Sequence, residues 1–143
     1  MAIADQTINS NVWTTVKTII LAAAPKVSEV INGVSITKTA SVSATYNDKD
    51  TKMPCIAINP ASISESDYKF GQNTGKRFIN VGVECYYPRT VGTDQLADQV
   101  IYAISQADIS GMELVGFDSD QAFVDPNQAK FQLKTITFTF ERE

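Results

Sequence analysis

Asp118, Asp120 and Asp125, in the segment FDSDQAFVDPNQ, are the closest this sequence comes to a metal-binding or paired-carboxylate motif. Alternating aspartates open a calcium loop, which also needs a third early ligand, a central glycine and a closing glutamate. Those later parts are missing here, so the spacing predicts a solvated acidic turn. The chain contains no histidine. That removes together the commonest general base, the usual activator of a nucleophile and the commonest metal ligand. Cys55 and Cys85 fall inside strand-like runs without metal spacing and read as reduced, buried thiols. These residues suggest no enzyme class, catalytic set, metal site or cofactor.

A second candidate is the stretch YYPRTVGTDQLADQVIYAI, Tyr86 to Ile104, which reads as a strand end, a short joint and an amphipathic helix. Thr93 has the chemistry of an N-cap, and Asp94 suits the positive end of the helix dipole. An aspartate there disfavours a bound anion, and no glycine-rich loop with a following lysine is present. The joint therefore reads as a capped structural corner. Arg89 is left over beside Tyr86 and Tyr87. Tyrosine and arginine are enriched in protein interfaces, so Tyr86, Tyr87 and Arg89 form a candidate contact with a subunit or partner. The alternative is an ordinary solvated arginine. Tyr68 and Phe70, in SDYKFG, either tuck back onto the sheet or meet a partner.

The elements that position these residues follow from periodicity. Ile8, Val12, Val16, Ile19, Ile20 and Ala23 form one apolar stripe, predicting a helix over 6–24 that Pro25 ends. From Val34 to Tyr46 a strict alternation with β-branched residues predicts one long, half-exposed strand. NDKD supplies a turn, and MPCIAIN a second strand with Pro54 at its start or at an edge. Residues 60–76 show no clean period and read as a loop or projecting arm. RFINVGVECYY is a third strand, with Ile79, Val81, Val83, Cys85 and Tyr87 on one face. Leu96, Val100 and Ile104 mark the second helix, and MELVGFD a weaker fourth strand. In KFQLKTITFTF the apolar residues change parity between Leu133 and Ile136, which predicts a β-bulge near Lys134–Ile136.

The expected architecture is a single α+β domain over 1–143. It has a mostly antiparallel sheet of about five strands flanked by two helices, ordered helix-β-β-arm-β-helix-β-β. At 143 residues and 15.6 kDa the chain can bury one real core. MAIADQTINS lacks the basic flank and apolar run of a signal peptide, and IILAAA is too short to span a bilayer. A soluble protein made in a cytoplasm is expected. Up to Ala107 nine acids balance nine bases; beyond it seven acids face three bases, and that difference of four is the whole net charge of −4. This balance excludes the basic face of a typical nucleic-acid binder.

An N-terminal helix, MPCIAINP, an irregular segment, INVGVECYYPRT, the helix TDQLADQVIYAI and the closing strand FQLKTITFTF follow one another along the chain. This order is similar to the tail terminator (tail completion) proteins of long-tailed bacteriophages and to related neck components. The likeness covers nearly the whole chain and rests on pattern and length. It implies a virion protein at the tail–neck junction, assembled in the host cytoplasm. Its copies would form a hexameric ring on the tail tube, stop tube polymerisation and offer the docking face for neck and head-completion proteins. In contractile tails the sheath would be a further partner. DNA would pass through the lumen unread, and no membrane is involved. Within such a ring Asp118, Asp120 and Asp125 are candidate lumen acids, since like charge keeps DNA from sticking. Two other readings stay open. One is a different neck or tail component, such as a stopper, adaptor or sheath-linked protein. The other is a monomeric cytoplasmic binding module with a concave pocket.

Overall fold

The computed structural model describes residues 8–43, 54–66, 76–109, 111–123 and 132–142. It is an α+β fold in which two helices cover one face of a mixed, mostly antiparallel sheet. Helix α1 (Ile8–Ala23) buries Val12, Val16 and Ile20 at four-residue steps, with Ile19 and Trp13 packed beside them. It ends where the stripe predicts. Ala24 donates its N–H back to the Ile20 carbonyl (3.1 Å) but takes φ 47°, so the residue before Pro25 leaves through the left-handed region rather than as extended chain.

The chain next forms a strand that the periodicity did not suggest. β1 (Lys26–Ile31) and β2 (Val34–Thr39) make a separate antiparallel hairpin around Asn32 and Gly33, both at positive φ. Two successive left-handed residues are the type I′ geometry that an Asn-Gly pair favours. The expected long strand over 34–46 is therefore divided. Ala40 breaks it, donating its N–H to the Pro25 carbonyl at 2.8 Å, and β3 (Ser41–Ser43) starts a new pairing. β3 lies parallel to β4 (Cys55–Ile58), a correction to the hairpin expected there; the NDKD turn lies outside the described residues.

The main sheet runs β3-β4-β6-β8-β7, with β5 also on β6. β6 (Lys76–Tyr87) is central: β4 and β5 (Ser62–Ser66) share one of its edges and β8 (Gln132–Arg142) takes the other. Part of the segment read as an aperiodic arm is thus the strand β5, antiparallel to the start of β6. Helix α2 (Thr90–Gln106) buries Leu96, Val100 and Ile104 against the sheet as expected. Trp13 of α1 donates its indole N–H to the Ile58 carbonyl of β4 at 2.9 Å, tying helix to sheet.

β8 contains no bulge. Its register against β6 is unbroken from Phe78↔Glu141 to Tyr87↔Gln132, placing Ile136, Phe138 and Phe140 opposite Val83, Val81 and Ile79 in the core. The change of parity has another cause. Leu133 faces away from the helices and packs on a second small cluster, Cys55, Ala57 and Tyr86, so both faces of the sheet are apolar at that end. The irregularity sits instead in β7 (Met112–Phe123), between Leu114 and Gly116.

Candidate assembly surfaces

The corner between β6 and α2 is built differently from its sequence expectation. Arg89, in extended conformation, occupies the N-cap position and makes no side-chain cap. Thr93, expected there, lies buried one turn inside and donates its hydroxyl to the Thr90 carbonyl at 2.9 Å. Asp94 accepts from Lys134 Nζ at 2.7 Å, joining α2 to β8. Arg89 is not a free cation. Its Nε and Nη2 bind both carboxylate oxygens of Glu29 on β1, with Nη2–Oε2 at 2.7 Å, and its guanidinium lies 5.1 Å from the Tyr87 ring centre. Tyr87 donates its hydroxyl to Glu29 Oε2 at 2.8 Å. A planar fork on a carboxylate is the strong form of an ion pair. The Arg89 hydrogen bonds, then that of Tyr87, hold the Glu29 carboxyl below its ordinary 4.5. Burial, then Glu29, raises the Tyr87 phenol, and Glu29 raises Arg89 further.

Two glutamines one helical turn apart complete the joint. Gln99 accepts from the Lys26 N–H at 2.9 Å and donates to the Lys26 carbonyl at 2.7 Å. Gln95 does the same for Ser28, at 2.7 and 2.8 Å. Each side-chain amide thus pairs with the backbone of a β1 residue as a neighbouring strand would, which satisfies that edge. Sequence reading missed both; a polar pair at i, i+4 on a helix gives no hint of a strand 67 and 73 residues away.

The interface candidates are placed as follows. Tyr86 and Tyr87 are each 6% exposed, so within the chain their rings pack against the fold. Tyr86 donates its hydroxyl to Glu84 Oε2 on the sheet's open face, where Asn59 Nδ2 also reaches Glu84 at 3.0 Å. Arg89 is half exposed but engaged by Glu29. Tyr68, Phe70 and Asp125 lie outside the described residues. Asp118 and Asp120 are not in a turn. They stand in β7 opposite Thr137 and Thr135, exposed on the face away from the helices. The acidic segment forms a strand because all of β7 but Val115 finds a ladder partner in β8.

Away from the Leu133 cluster that open face is polar and acidic. Alternation places Asp118, Asp120 and Glu113 of β7, Thr135, Thr137 and Thr139 of β8, and Asn80 and Glu84 of β6 on it. Thr139 donates to Asn80 Oδ1 at 2.8 Å. Cys55 lies on this face and Cys85 in the helix-side core. Burial raises both thiols, Cys85 to about 12. Among the described residues no three acidic or thiol side chains group as metal ligands, and no helix is long and apolar enough to cross a membrane. A shallow cleft of about 440 Å³ where the α1 C-terminus meets α2 is lined by Ala23, Asp98, Gln99, Tyr102 and Ala103. Its one amide, Gln99, is already committed to β1.

No protein-family model matches the chain, and no curated protein does. The fold is similar to a solved chain from the virion of a native gene transfer agent particle, at TM-score 0.53 and 14% identity, covering 71% of this chain and 78% of that one.

The corner makes two predictions. A Cβ on Gly92, in the first turn of α2, would lie 2.1 Å from Tyr87 Cδ2. Gly→Ala inside a helix ordinarily stabilises by about 1 kcal/mol, whereas displacing a packed ring costs about 1–3 kcal/mol. Gly92→Ala should therefore lower stability in urea unfolding, with the Tyr87–Glu29 bond broken. Glu29 gives the second. Its folded pKa lies below the unfolded value, so its contribution is complete above the ordinary 4.5 and is lost as pH falls through the lowered value. Denaturation followed over an acid pH series should show a shallower loss for Glu29→Gln than for the native chain; equal slopes would contradict the pairing.

Proposed function

We propose that this chain is a structural virion protein whose copies form a ring, hexameric in the tail terminator pattern, that caps the tail tube at the neck. The observation that carries the reading is the shared fold with a chain of a gene transfer agent virion. Two features of the chain support it. The sheet's open face presents Glu84, Glu113, Asp118 and Asp120, which suits a lumen that DNA must cross without sticking. The side chains placed on the described surface form hydrogen bonds and ion pairs that hold elements together, not a converging set for catalysis. In this reading the protein is not an enzyme and uses no cofactor. Its partners are its own copies, the tube protein and the neck proteins, with DNA passing through.

The test is to mix the purified chain with tail tubes, weigh the assembly and image the tube ends. Six copies at one end of each tube is the expected result. A chain that stays monomeric and ignores the tubes would contradict it and return attention to the α1–α2 cleft as a ligand site.

A further inference from the structure

Resting on the ring reading, a second structural feature bears on how copies meet. Among the described residues β7 pairs only with β8, so one whole side of a twelve-residue strand offers unpaired backbone groups. Natural edges are blunted by shortness, proline, lysine or bulges. β7 is long, and MELVGFDSDQAF has no proline and no basic residue. Its blunting devices are the irregularity between Leu114 and Gly116 and the acids Glu113, Asp118 and Asp120, whose charge a base on a neighbouring strand would offset. Val115 and Phe117 stand 47% and 45% exposed along it.

β2 is another open edge. It pairs only with β1 among the described residues, and five of its six positions are exposed. Its sequence, VSITKT, is strongly strand-forming. On the far side of the hairpin β1 is closed by Gln95 and Gln99, so β2 is the side left to receive a strand.

Charge chooses between the pairings these edges allow. Two β7 strands meeting would bring together two edges that each carry Glu113, Asp118 and Asp120 and no base, and like charges across a ladder repel. β2 carries no acid and has Lys38 exposed near its end. We propose that β2 of one copy pairs with β7 of the next, with Lys38 against Asp118 and Asp120. The contact joins two different surfaces, so each copy offers one and takes one. Repeated about an axis, it closes into a ring whose sheets run from subunit to subunit.

Amide hydrogen exchange and tube-end occupancy test this on the full chain with tail tubes. On assembly, exchange should slow across 34–39 and across 112–123. Lys38→Glu, and separately Asp118→Lys with Asp120→Lys, should each lower occupancy of tube ends by roughly tenfold, as like charges face each other at every junction. All three substitutions together should restore it. These positions are exposed, and circular dichroism of each variant separates failed folding from failed assembly. Rings that form with exchange in both strands unchanged, or with no sensitivity to either reversal, overturn the β2–β7 contact and leave the ring reading standing. A native chain that never reaches tube ends fails the ring reading itself, and this contact with it.

Discussion

Gln95 and Gln99 do the work of a missing strand. A two-stranded hairpin is marginal in water because each strand has an open edge and little apolar area to bury. β1 escapes this because two side-chain amides of α2 close its backbone at Lys26 and Ser28. Farther along, Glu29 is gripped by Arg89 and Tyr87 where β6 hands over to α2. Val27, between these contacts, is buried in the main core. The hairpin is thus fastened along α2 through backbone, charge and packing together. The path from α1 through Pro25 to β3 depends on it, since Ala40 closes that path on the Pro25 carbonyl.

The same contacts explain what the sequence could and could not disclose. Helical stripes and the β6 alternation were readable, because Val12, Val16, Ile20 and Val81, Val83, Cys85 each serve one buried face. The Asn32-Gly33 pair is a plain turn signal, but the Ser/Thr alternation beginning at Val34 has the period of one long strand. The partners of Arg89 and the two glutamines were not readable. They lie some 60 to 73 residues away and are reached only after the chain folds. Asp118 and Asp120 have low strand propensity, and pairing with β8 overrode it. Leu133 misled because a single apolar face was assumed for a sheet that carries a second small cluster.

The fold has two unlike sheet faces. One face of the sheet is sealed by two helices around Phe138 and Phe140 and supplies stability. The other is acidic and open apart from the small Leu133 cluster, and among the described residues β7 and β2 each pair on one side only. Fastening β1 along α2 holds the whole β1–β2 hairpin beside the core.

The most direct test is amide exchange in a Gln95→Ala, Gln99→Ala variant. The account predicts fast exchange throughout 26–39 while β6 and β8 keep their native protection, because the hairpin loses its substitute strand and the core does not. Unchanged protection at Lys26 and Ser28 would contradict it, showing that the hairpin stands without the glutamines.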